Sequence, residues 1–155
     1  MMKVFFIFLL LLSLLGIEHA HATNALGVVL GDPTGVSGRM GLDNAHSLEG
    51  AVAFSLGKDE DLHLHATYLW DRARSFNVEG GGPLEMYYGL GVRLITFDGG
   101  KHDGEVAIGP RAPLGLLYNF NNPDIELFGE ISVALDLTPE TDVDLDLGIG
   151  VRVRF

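Results

Sequence analysis

The stretch DVDLDLGIGVRVRF, residues 142–155, decides how this chain folds. Every second residue from Val143 is aliphatic or aromatic: Val143, Leu145, Leu147, Ile149, Val151, Val153 and Phe155. The alternate set, Asp142, Asp144, Asp146, Gly148, Gly150, Arg152 and Arg154, is charged or glycine. A helix would scatter the two sets around its circumference, whereas a strand sends successive side chains to opposite faces. The segment is a β-strand with one apolar and one polar face.

The same period recurs upstream. Ile125, Leu127, Gly129, Ile131, Val133, Leu135 and Leu137 alternate with Glu126, Phe128, Glu130, Ser132, Ala134, Asp136 and Thr138. Leu84 to Leu94 alternates with Glu85, Tyr87, Gly89, Gly91, Arg93 and Ile95. Leu62, Leu64, Ala66, Tyr68 and Trp70 alternate with His63, His65, Thr67 and Leu69. Eight strands are predicted, over 25–31, 35–43, 47–56, 61–71, 84–97, 106–120, 125–137 and 142–155. Turn chemistry separates them, as in Gly31-Asp32-Pro33-Thr34-Gly35, Asp43-Asn44, Asn121-Asn122-Pro123-Asp124 and Thr138-Pro139-Glu140-Thr141. One connection, Arg72–Pro83, is long. Charged residues make up 20% of the chain, yet none falls in the apolar frame of the eight strands.

Two arrangements place such strands in a closed sheet. A soluble barrel turns the apolar frame inward; a membrane barrel turns it toward lipid and keeps its charges inside. The second is favoured here. Gly89, Gly91, Gly148 and Gly150 lie in the polar frame, where the wall of a narrow barrel is crowded. Trp70, Tyr118, Phe120 and Phe155 lie in the apolar frame at one rim, as an interfacial girdle would. The expected fold is therefore an all-β, eight-stranded, antiparallel, up-and-down transmembrane β-barrel. Even strand number and closure follow from the cost of unpaired backbone groups in hydrocarbon.

The N-terminus fits export. Lys3 is followed by an apolar run from Val4 to Leu15 broken only by Ser13, too short to span a bilayer as a helix. Ala20 and Ala22 then stand at the spacing of a signal-peptidase site, so residues 1–22 are expected to be a signal peptide and 23–155 the barrel domain. The 133 residues after residue 22 leave between 16 and 17 for each strand with its connector. The net charge of −11 argues against nucleic acid and against docking on an anionic surface. The chain has no cysteine, which excludes thiol chemistry and a lipid-modified N-terminal cysteine.

Three stretches then carry a resemblance: Gly31-Asp32-Pro33-Thr34-Gly35-Val36-Ser37-Gly38, Leu62 to Trp70, and Tyr87-Tyr88-Gly89-Leu90-Gly91-Val92-Arg93-Leu94. With Pro113-Leu114-Gly115-Leu116-Leu117-Tyr118 and the ending Gly148 to Phe155, they resemble a family of small bacterial outer-membrane β-barrel proteins of largely uncharacterised function. Some spirochaete surface proteins belong to that family. The resemblance implies an eight-stranded barrel and brings no catalytic residues. The C-terminal Phe155 also resembles the signature read by the outer-membrane assembly machinery.

An eight-stranded barrel is just wide enough for side chains to fill it, so the inward charges are expected to satisfy one another. A turn near Pro139–Glu140 would set Glu126 opposite Arg154 and Glu130 diagonal to Arg152. Arg39, Arg93 and Arg111 are the expected partners of Glu49 and Glu85, and together these would form an ionic core in place of a hydrophobic one. His63 and His65 share the inner face with Asp71 at the strand end, a set that a metal site would use. Two hydrogen-bonded lumen histidines are the ordinary alternative, and it is preferred. Ser55 and Ser132 face inward with them, but a lipid-modifying Ser–His pair would have to lie at the lipid surface. The acidic turns Lys58–Asp61, Asp98–Glu105 and Glu140–Asp142 read as solvated loops. The expectation is thus a monomeric outer-membrane barrel with a filled polar lumen and a structural or interaction role. It has no catalytic residue, metal or cofactor, and its partners are membrane lipid and the assembly machinery. The alternatives are a small barrel that conducts a solute or modifies lipid, and a soluble exported ligand-binding barrel.

Overall fold

A computed structural model describes residues 23–54, 62–77, 83–97 and 104–155; the expected signal peptide, Ser55 and the Lys58–Asp61 turn lie outside them. Eight strands follow in chain order: β1 Asn24–Asp32, β2 Thr34–Gly41, β3 His46–Phe54, β4 Leu62–Asn77, β5 Pro83–Thr96, β6 Val106–Asn121, β7 Asp124–Asp136 and β8 Asp142–Arg154. Each pairs antiparallel with the next, and β8 returns to β1 to close the barrel. Closure runs from Ala25 opposite Arg154 to Asp32 opposite Leu147. At its end Asn24 and Phe155 exchange backbone hydrogen bonds of 3.2 and 2.9 Å. Among the described strands none is left along its whole length as an edge to present unpaired backbone groups.

Local chemistry sets the turns. The Thr34 hydroxyl accepts from the Gly31 N–H at 3.1 Å and donates to the Gly31 carbonyl at 2.8 Å, clasping the β1–β2 turn at Pro33. Between β2 and β3 the Asp43 carboxylate accepts from the Ala45 N–H at 2.7 Å and faces the His46 ring at 2.9 Å. That backbone bond and then the imidazole hold its pKa below the ordinary aspartate value. Gly104, before β6, takes φ +78°, which favours glycine, and donates its N–H to the Phe97 carbonyl at 3.0 Å.

The two faces separate as the alternation predicts. On β8 the outward Val143, Leu145, Leu147, Ile149 and Val153 are 58–66% exposed, whereas Arg152 between them is 0% exposed. The inward glycines make room for large rings. A Cβ on Gly115 would strike the Tyr87 ring, and one on Gly150 the Phe128 ring.

Three expectations need correction. β4 does not end near Asp71 but runs on to Asn77, so the long connection is shorter than it looked and the strand count before it stands. The β7–β8 register is shifted by two residues, with Glu126 opposite Arg152 and Glu130 opposite Gly148, because the loop spans Leu137–Thr141 and centres on Pro139. The interior is also not ionic throughout. Leu69, Tyr87, Leu117 and Phe128 form a buried apolar cluster with Val29 packed against it.

Candidate functional site

The inward frames of β2 to β8 contribute to one column of charge, and its geometry is the site. Arg152, two residues before the end of β8, is wholly buried. It donates to Glu126 at 2.6 Å and to the Ser37 hydroxyl at 2.7 and 3.2 Å, and its guanidinium lies 2.8 Å from a Glu49 carboxylate oxygen. The Phe128 ring covers one face of the guanidinium, 3.7 Å from its central carbon. Two carboxylates, a hydroxyl and a ring, from three other strands, thus share one cation: β2, β3 and two positions of β7 supply the polar and aromatic partners.

Beside it Arg111 donates to Glu130 and, at 3.3 Å, to the Thr67 hydroxyl. Tyr87 also donates to Glu130, at 2.9 Å. The His65 Nε2 atom stands 3.6 Å from Glu49. Toward the rim that carries the termini, Arg39 pairs with Asp71, donates to Ser47 at 3.1 Å and approaches Glu126 at 3.8 Å. Arg154 donates to the Phe120 carbonyl and lies 3.4 Å from Asp124.

Toward the opposite rim Arg93 gathers three carboxylates. Its Nε and one terminal nitrogen grip Asp136 at 3.0 and 2.7 Å, and Asp144 and Asp146 follow at 2.9 and 3.2 Å. Ser132 donates to Asp146 at 3.1 Å. Arg93→Leu should therefore leave three neighbouring carboxylates without their shared cation. The expected loss is about 1.5–3 kcal/mol, the worth of hydrogen bonds to charged groups. Urea titration of the detergent-folded protein measures it, and an unchanged midpoint would count against the cluster.

Most sequence-predicted partners are reassigned. Glu126 pairs with Arg152 rather than Arg154, and Glu130 with Arg111 rather than Arg152. Glu49 meets Arg152 and His65, whereas Arg39 turns to Asp71 and Arg93 to the β7–β8 aspartates. Asp71 is drawn away from the histidines: six residues along β4 separate it from His65, about 20 Å of strand. Among the described residues no group of three or more His, Asp or Glu side chains is arranged to hold a metal. Ser132 is bonded to an aspartate rather than a histidine. A cavity of about 30 Å³ remains among Glu49, His65, Arg111, Glu130, Ser132 and Asp146. That is room for about two water molecules.

Sequence reasoning missed the outward aromatic ladder of β3–β5 at the terminal rim, although Tyr68 and Tyr88 stood in the apolar frame. Trp70 meets Tyr68 edge-on at 5.1 Å and stacks on Tyr88 at 5.7 Å. Of the expected girdle, Tyr118 and Phe120 pack together at 4.7 Å on the same rim.

No family model matches the chain. No curated protein matches it either. Solved structures share its fold, and two of them are barrels of similar size. The N-terminal β-barrel domain of Pseudomonas aeruginosa OprF aligns with a TM-score of 0.66 at 14% identity, over 86% of this chain and 96% of that one. Neisserial surface protein A (NspA) aligns with a TM-score of 0.51 at 19% identity, over 86% of this chain and 94% of that one. At such identities the likeness is one of fold: a closed, eight-stranded antiparallel barrel.

Proposed function

We propose that this chain is a bacterial outer-membrane protein, exported with residues 1–22 as a cleaved signal peptide. Residues 23–155 would form a monomeric transmembrane barrel with a filled polar lumen and a structural or interaction role. One observation carries the reading: between the two rims the outward frame is apolar and lies bare. Leu26, Val36, Val52, Leu90, Ile108, Leu127 and Ile149, from seven different strands, are each 44% exposed or more. A soluble monomer rarely exposes an apolar patch beyond a few hundred Å². A continuous apolar belt is what a bilayer requires.

The dimensions agree. Val143 to Phe155 spans 12 residue steps along β8. At about 3.3 Å per step and a tilt of about 40°, this is roughly 30 Å along the barrel axis, enough for an apolar band of about 25 Å. The aromatic ladder and the Tyr118–Phe120 pair would mark the periplasmic interface, with both termini on that side. Phe155 would be read by the barrel assembly machinery. Membership of the small-barrel family that includes spirochaete surface proteins is part of the same proposal.

The gel test is direct. In an outer-membrane fraction the unboiled protein should migrate faster than the boiled form; recovery as a detergent-free monomer from periplasmic extract would end the reading. Because Arg152 and its partners plug the bore, planar bilayers should show no stable conductance step. A reproducible step would overturn the filled lumen, and altered lipid A in an expressing strain would overturn the non-enzymatic role.

A further inference from the structure

The β1–β8 seam does not reach the top of β8. β1 stops at Asp32, opposite Leu147, and the chain turns back at Pro33 into β2. β8 begins earlier in register, at Asp142, and from Asp142 to Asp146 it pairs with β7 alone. Asn24 and Phe155 exchange both of their backbone bonds, so the odd-numbered residues of β8 turn their N–H and C=O groups toward β1. Beyond Leu147 those residues are Val143 and Leu145, and among the described residues no strand pairs with them on that side. Their N–H groups are capped from within β8 instead. The Val143 N–H donates to Asp142 at 2.9 Å, and the Leu145 N–H donates to Asp144 at 3.0 Å. Side chains along this edge sort by face. Val143 and Leu145 are exposed on the outer face; Asp142, Asp144 and Asp146 stand in the inward frame, with Asp136 of β7 opposite Asp142. Arg93 is shared by Asp136, Asp144 and Asp146, and among the described residues Asp142 meets no cation.

We propose that this edge of β8 takes up an extended peptide segment of alternating basic and apolar residues, which pairs with Val143 and Leu145 as an added strand. This gives the interaction role proposed above a partner, and it rests on that reading for the side of the membrane on which the peptide is met. A row of N–H and C=O groups without a neighbouring strand is a template for another one. The exchange of bonds is complete. Peptide carbonyls take the N–H groups of Val143 and Leu145, and peptide N–H groups bond the carbonyls of the same two residues. Asp142 and Asp144, released from capping, then face the basic side chains. Peptide residues opposite the aspartates share the inner face and those opposite Val143 and Leu145 the outer one, which sets the alternation. A second copy of this chain fits less well, because its own aspartates would lie against these across the pair.

Fluorescence anisotropy of a short labelled peptide alternating lysine and valine, titrated with the folded protein in an uncharged detergent, tests the edge. The wild type should bind it and should not bind the matching glutamate–valine peptide. Leu145→Pro removes an N–H that points away from β7, so the β7–β8 ladder stays whole; affinity should fall about tenfold, the worth of one net hydrogen bond. Asp142→Lys should weaken binding about threefold. If Leu145→Pro loses its heat-modifiable migration, the peptide decides instead. N-methylation of its valines blocks the donors to Val143 and Leu145 and should also cost about tenfold, whereas N-methylation of its lysines, whose N–H groups point away, should not. Equal affinity of wild type and Leu145→Pro, or of the valine-methylated and plain peptides, would overturn the proposal. So would equal binding of the lysine and glutamate peptides, and so would self-association of the protein that Leu145→Pro abolishes. Failure of the wild type to insert would sink the membrane reading itself. Insertion without peptide binding would sink this site alone.

Discussion

Arg152→Ala should lower the unfolding free energy of the barrel by about 3–5 kcal/mol, the cost of removing one partner from a buried ion pair. Arg152 is the largest side chain in the molecule to be wholly buried among the described residues, and two acids depend on it. Without it, Glu49 and Glu126 face each other across the bore, with only partial relief from His65 at 3.6 Å and Arg39 at 3.8 Å. The Phe128 ring also loses the cation that lies against it. Urea titration in phospholipid vesicles, read by the heat-modifiable band, measures the change. The triple variant Arg152→Met, Glu49→Gln, Glu126→Gln should recover most of the loss, because it removes the stranded charges together with their cation. A single-site loss below about 1 kcal/mol would mean that water reaches these acids and that the bore is not filled.

Ile149→Arg addresses the other face and separates lipid from water outright. Ile149 is 64% exposed, halfway along the outward frame of β8, with Gly129 and Leu30 as its cross-strand neighbours. The space beside Gly129 leaves a longer side chain free of steric conflict, so the cost reports the medium. In a bilayer, arginine at mid-depth should cost about 2–4 kcal/mol, and Val143→Arg, near the rim, about 0–1 kcal/mol. On a water-exposed wall both would fall within about 0.5 kcal/mol of wild type. Unfolding in vesicles distinguishes the two, and equal, small effects at both depths would refute the membrane placement.

The Arg93 cluster shows how far reading along the chain could go. That Arg93, Asp136, Asp144 and Asp146 all turn inward follows from period two on β5, β7 and β8, a property each strand carries locally. That they meet does not follow, since Asp136 is 43 residues from Arg93 and shares no strand pair with it. Which inward residues lie level across the bore depends on the stagger accumulated around all eight strands, and each hairpin loop adds its own increment. The β7–β8 hairpin illustrates the sensitivity. Placing its turn one residue late moved every cross-strand partner by two, and so offered Glu126 the wrong arginine. Leu69, Leu117 and Phe128 interrupt the polar frame in sequence, but their convergence into one apolar cluster needed the closed wall.

By itself, then, the sequence determined the number of strands, the turns between them and which side chains share a face, because alternation and turn chemistry act over a few residues. The tertiary structure alone decided which arginine answers which carboxylate and that Arg72 stands outside beside Tyr88. Those outcomes depend on register and closure, which couple residues as distant as Ser37 and Arg152 and are written in no single segment.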